Sequence, residues 1–231
     1  MAPWRDLPRT TAGPRLLAAS VAIPLMLVLP VARATTPLPP SLPAQAAEAR
    51  IDGFRSAHFG MSEAEVRRAI EANFRLSGRA VVAAENPVQR TAVLRIRTAD
   101  LIPDGGTAQI DYIFGYRSHT LMEVNILWSA ATDPKNTPAR LVTDGAALQA
   151  YFQREGFAPE RTVRNAVLPD GNVMLFRATD TAGHAVVLVL SGKRDKPAKD
   201  ASSRLTPTAL ALAYAADPAN PDVFQLKKGT F

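Results

Sequence analysis

The chain has no cysteine, only three histidines and only 6% aromatic residues. Without cysteine there are no disulfides, no thiolate metal ligands, no thiol nucleophile and no site for a lipid anchor. The histidines, His58, His119 and His184, show no H-x-x-H or H-E-x-x-H spacing and fall before the first helix, in a turn and at a strand start. A zinc centre needs three or four converging ligands, so no metal site is expected. There is no G-x-S-x-G elbow and no phosphate-binding loop, since Pro103-Asp104-Gly105-Gly106 is a hairpin turn. No cofactor is expected. Neither sign of charge dominates, with 27 basic and 21 acidic residues.

A leader is present. Arg5, Arg9 and Arg15 precede an apolar run over residues 16–31, and Ala32-Arg33-Ala34 follows. That order reads as a secretory signal cleaved between Ala34 and Thr35. The alternative, an uncleaved anchor, meets a short run broken by Pro24 and Pro30, where a spanning helix needs about 20 apolar residues. Arg5, Arg9, Arg15, Arg33 and Asp6 leave with the leader, so the net charge falls from +6 to +3. That charge is too weak to argue for nucleic acid. The expectation is a periplasmic or secreted protein without a lipid anchor.

Residues 35–49 carry four prolines and almost no charge, the composition of an extended linker. Residues 192–207, rich in Lys, Asp, Ser and Pro, read as a solvated loop. Between them Ser62-x-x-Glu65 has capping-box spacing, with Met61 and Val66 placed as a hydrophobic staple. Val66, Ala69, Ile70 and Phe74 then form one apolar stripe of a helix that should end near Gly78. Thr137-Pro138 announces a second helix, with Leu141, Leu148, Tyr151 and Phe152 on one side and Gly156 at its end.

The pattern A-[IL]-x-A-x-F-x-x-x-G occurs in both helices, from Ala69 and from Ala147. A D-P-x-N sequence closes each half, at Asp133 and Asp217. Matching motifs in the same order argue for an internal duplication. Four strands follow each helix: 79–84, 90–99, 107–116 and 120–129, then 161–168, 172–179, 184–191 and 207–214. The fold class is therefore α+β: two tandem repeats of one helix plus a four-stranded antiparallel sheet, in a single compact domain. The first unit spans 50–134 and the second 135–231, which ends in a C-terminal edge segment. Alternation turns Leu94, Ile96, Ala108, Ile110, Tyr112, Phe114, Tyr116, Met122, Val124, Ile126 and Trp128 towards the core.

The F-G-M-S-x-x-E-V opening, followed by a helix and a sheet, resembles small outer-membrane assembly lipoproteins. The tandem arrangement resembles the β-lactamase inhibitory protein fold. In FRSAHFGMSEAEVRRAI, LPDGNVMLFRATD and ADPANPDVFQLKKGTF the chain is similar to uncharacterised exported proteins of Gram-negative bacteria. The two fold-level resemblances imply a protein that grips other proteins. The exported proteins imply no activity.

On the face away from the helices, Arg95, Arg97, Gln109, Asp111, Glu123 and Asn125 share the middle strands of the first half. One reading is a cross-strand ladder of opposite charges. A second is a polar recognition surface for an envelope protein partner. A third is a glycan hydrolase using Asp111 and Glu123 as paired carboxylates. The arginines oppose the third by holding both acids ionised, where acid catalysis needs one raised pKa. In the second half Val173, Leu175, Ala185, Val187, Val189, Ala209, Ala211 and Ala213 make the same face apolar, so it needs cover. The linker, residues 222–231 as an extra strand, or another molecule are the candidates. The leading function is a non-catalytic binding or cell-envelope accessory module; a domain working only through loop 192–207 is the bland alternative.

Overall fold

The computed structural model describes residues 48–99, 101–194, 205–226 and 229. A short hairpin, β1 (Gly53–Phe54) and β2 (Ala57–His58), leads into α1 (Glu63–Phe74). Four strands follow: β3 (Val82–Asn86), β4 (Thr91–Thr98), β5 (Ala108–Phe114) and β6 (Leu121–Ser129). Then come α2 (Pro138–Phe152) and β7 (Thr162–Val167), β8 (Val173–Thr179), β9 (Ala185–Arg194) and β10 (Leu205–Ala215). The expected α-ββββ-α-ββββ order is present, and the result is one α+β domain.

The capping box starts α1 where expected. The Glu65 carboxylate accepts from the Ser62 backbone N–H at 2.8 Å and from its hydroxyl at 2.7 Å. Those two bonds, side chain first, hold the Glu65 carboxyl below its ordinary value. The helix stops a turn before Gly78: Arg75 takes the left-handed conformation at φ 56° and its N–H bonds the Glu71 carbonyl. In α2 the Thr137 hydroxyl accepts from the Arg140 N–H at 3.3 Å, with Pro138 just inside the helix.

The two expected four-stranded sheets are one antiparallel sheet of eight strands, in the order β3-β4-β5-β6-β10-β9-β8-β7. The seam pairs the last strand of each half, with Leu212 opposite Ile126 and Leu210 opposite Trp128. Read outwards from that seam, the strand order is the same in both halves. Joining removes two edges whose N–H and C=O groups would otherwise lack partners.

Both helices contribute to a core on one face of the sheet. Leu94, Ile96, Ile110, Tyr112, Phe114, Val124, Ile126 and Trp128 are buried there, as their alternation required. Two expected core residues differ. A register shift between Ile113 and Phe114 sets Phe114 opposite Leu121, so Leu121 is buried and Met122 only half-buried. Tyr116 lies past the strand end and meets Phe224 edge-on at 5.5 Å. α2 packs across β8, β9 and β10, whereas α1 lies beside β2.

The described C-terminal residues form no added strand. Residues 221–226 are irregular and are pinned to the ends of two hairpins. The Phe224 N–H bonds the Gln89 carbonyl, the Tyr116 N–H bonds the Asp222 carbonyl, and the Arg90 guanidinium sits 3.8 Å over the Phe224 ring. Lys227, Lys228 and Phe231, expected in an edge strand, lie outside the described residues. So do the leader and residues 35–47 of the linker. Strands β9 and β10 extend into the segment read as a loop, of which 195–204 are also outside the described residues. Among the described residues no helix is long and apolar enough to cross a membrane.

Candidate functional site

Register decides which of the six polar residues meet. Arg95, Asp111 and Asn125 are directly opposite one another across β4, β5 and β6. Arg97 and Gln109 pair in the next row, continued by Leu127. Glu123 stands opposite Ile113 in the row on the other side. Period-two alternation puts them all on the face away from the helices.

Within this set one pair is tightly made. The Arg95 guanidinium donates from Nε to Asp111 Oδ1 at 2.7 Å and from Nη2 to Oδ2 at 2.6 Å, a two-pronged fork. The hydrogen bonds to Asp111 raise the Arg95 pKa above its already high value, against a smaller opposing effect of burial. Gln109 reaches the same carboxylate at 3.4 Å. Glu123 is engaged by an amide and not by an arginine: Asn125 Nδ2 donates to its Oε1 at 2.7 Å. The ladder of alternating charges therefore exists only at Arg95–Asp111. Arg97 is exposed and has no ion-pair partner among the described residues.

The face is not flat here. Residues 84–87 and Gln89, at the β3–β4 turn, wall a groove of about 640 Å³ whose floor includes Val93, Arg95, Asp111, Ile113, Glu123 and Asn125. The wall is built locally. The Asn86 side-chain oxygen accepts the N–H groups of Val88 and Gln89, both at 3.1 Å, an Asx turn at an Asn-Pro dipeptide. That dipeptide was the signal in the sequence for this wall. Arg97 and Gln109 lie outside the groove. Both Asp111 oxygens accept from the Arg95 guanidinium.

Across the seam the same face turns apolar. Leu127 is opposite Ala211, which is opposite Val189, which is opposite Met174. In the adjacent row Ala213 and Val187 lie between Asn125 and the exposed Arg177. These apolar side chains are half-buried, while their neighbours on the helix side, such as Ile126, Leu188, Leu210 and Leu212, are buried. Val173 and Leu175 are not part of this face: Val173 stands opposite Leu190, which belongs to the core on the helix side. The β8 register shifts between Met174 and Phe176, and Leu175 lies against α2 at Gly145, where a Cβ would come within 2.7 Å of its Cδ1.

A further carboxylate, unremarked by sequence reasoning, does structural work. Asp180 is buried in the β8–β9 turn. Its Oδ1 accepts from the N–H groups of Ala182 and His184, both at 2.9 Å, and its Oδ2 from that of Ile51 at 2.9 Å. Burial alone would raise its pKa. The N–H groups of Ile51 and His184, the His184 ring and the Ala182 N–H together outweigh that and hold it below the ordinary value. His184 Nδ1 also contacts the Ile51 carbonyl. The second half thus clamps the entry to the first. His58, beside Asp52 at 3.2 Å, and His184 lie nearer each other than their sequence positions suggest, since Phe59 packs on the His184 ring. Among the described residues no cluster of His, Asp and Glu could hold a metal ion.

Comparison of the chain with protein-family models, with curated proteins and with solved structures finds no match.

Proposed function

We propose that the protein is a non-catalytic, exported binding module of the cell envelope, which meets a partner protein through the sheet face opposite its helices. The observation that carries this reading is the composition of that face. An apolar stripe, Leu127, Ala211, Val189 and Met174, continues across the seam the row of Arg97, an arginine with no ion-pair partner among the described residues, beside the row of the fixed Arg95–Asp111 pair in the groove. Apolar patches edged by polar groups mark interaction surfaces, and arginine is favoured within them. The partner has an apolar centre bordered by acidic groups that complement Arg97 and Arg177. The doubled α-ββββ order, read as one duplicated unit, and the resemblance to proteins that grip other proteins point the same way.

The test is in-envelope crosslinking followed by affinity capture. Arg97→Glu and Val189→Asp each remove one captured protein, while Arg164→Glu, on the far β7 edge, leaves it bound. A capture pattern identical for parent, Arg97→Glu and Val189→Asp overturns the reading.

A further inference from the structure

On the helix side, above the β6–β10 seam, lies a second cavity, of about 470 Å³. It falls within the range of small-molecule sites. The β1–β2 hairpin, the β4–β5 loop and the C-terminal end of α2 surround it, because α2 packs over β8, β9 and β10 and α1 lies to the side. Its walls are apolar and aromatic, with Trp128, Leu148, Phe152, Phe157, Leu212 and Tyr214 among them.

Among the described residues, two polar groups bordering the cavity lack partners. Trp128 is 1% exposed, yet its indole N–H has no acceptor; a buried donor in that state costs about 1–3 kcal/mol. Arg50, at the rim, is exposed and makes no ion pair among the described residues. The other charged groups there are engaged. Asp52 lies beside His58, Glu155 lies near Tyr151, whose pKa is raised by burial first and then by this carboxylate, and Arg55 covers the Phe54 and Phe74 rings. What is left without a contact at the cavity, among the described residues, is one cation, Arg50, and one donor, the Trp128 indole N–H. A carboxylate complements both, and the walls require an apolar body behind it.

We infer that this cavity binds one amphipathic monocarboxylate of the fatty-acid type, its chain among Phe152, Phe157, Leu148 and Leu212 and its headgroup drawn by Arg50. The site lies on the opposite side of the sheet from the protein-binding face and stands independently of it.

Energy transfer from Trp128 tests this directly. The chain has two tryptophans, so Trp4→Phe leaves Trp128 as the only donor, and cis-parinaric acid serves as the probe and acceptor. The expected result is saturable transfer at one probe per chain, reversed by palmitate and not by hexadecanol or hexadecyltrimethylammonium. Arg50→Glu weakens the probe about tenfold, the loss of one charge-assisted contact, with an unchanged melting curve. Val187→Thr, on the opposite face, leaves binding as it was. Absence of saturable transfer, equal displacement by the neutral or cationic amphiphile, undiminished binding by Arg50→Glu, or a loss in Val187→Thr matching that in Arg50→Glu overturns the inference.

Discussion

The two helices carry the same A-[IL]-x-A-x-F pattern and use it in opposite ways. In α1 the aliphatic position, Ile70, is fully buried, and the aromatic one, Phe74, is half-buried beneath the Arg55 guanidinium at 4.6 Å. In α2 the aliphatic position, Leu148, is half-buried at the cavity wall. The aromatic one, Phe152, is buried and stacks on Phe176 with ring centroids 5.5 Å apart. The same six-residue pattern thus anchors one helix by its middle and the other by its end. The cause lies in what each helix meets: α2 rests on three strands, α1 beside a two-residue strand. Gly145 lets α2 approach β8 closely, since any Cβ there would strike Leu175. A repeat in sequence need not remain a repeat in packing.

That contrast sets the order of expected effects in urea unfolding. Phe152→Ala costs about 3–5 kcal/mol, the range for a buried phenylalanine, and Phe74→Ala about 1–2. Ile70→Ala reverses the ranking, at about 3 kcal/mol against about 1 for Leu148→Ala. Equal losses at both aromatic positions would mean that the helices sit alike, and the comparison would fail.

Asp180→Asn comes next, at about 2 kcal/mol near neutral pH, because the amide's NH₂ cannot accept from backbone N–H groups. Its pH dependence has a definite sign. The folded pKa is depressed, so this stabilisation is complete above the unfolded carboxyl value of about 3.9 and is lost as pH falls through the folded value. Parent and Asp180→Asn stabilities therefore converge in acid, which a series of melts from neutral pH downwards would show. A constant difference across that series would remove the clamp from the account. Smallest is the sheet face: Arg95→Ala costs about 1 kcal/mol, since the guanidinium is 42% exposed and its carboxylate partner 18%. On the other side of the seam Val189→Thr shifts stability by less than about 1 kcal/mol because Val189 is only half-buried. A large loss at Val189 would indicate cover over the apolar stripe.

Much of the secondary structure was readable in one dimension because its causes are local. The Glu65 carboxylate satisfies the Ser62 amide within one turn, Thr137 accepts from an amide three residues ahead, and Asp133 and Asp217 accept from N–H groups two residues on. The alternation on β4, β5 and β6 named the buried side and the polar one. It erred only at Met122, where a register shift depends on the partner strand, and at Tyr116, beyond the strand end. The six polar residues were correctly assigned to one face, but which of them bond was not readable. Arg95 and Asp111 are 16 positions apart and meet only through strand register, while Arg97, two residues from Arg95 on the same strand, finds no carboxylate among the described residues.

Taken alone, the sequence determined the helices, the order of the eight main strands and which side of β4, β5 and most of β6 is apolar, since these follow from backbone capping and side-chain period. Only the tertiary structure decided that β6 pairs with β10, making one sheet of two. It also decided that the β3–β4 turn walls a groove, that residues near Phe224 bind hairpin ends instead of extending the sheet, and that a cavity remains over the seam. Those outcomes turn on edge pairing and helix placement between residues far apart in the chain, where many partners satisfy the same local rules and packing selects among them.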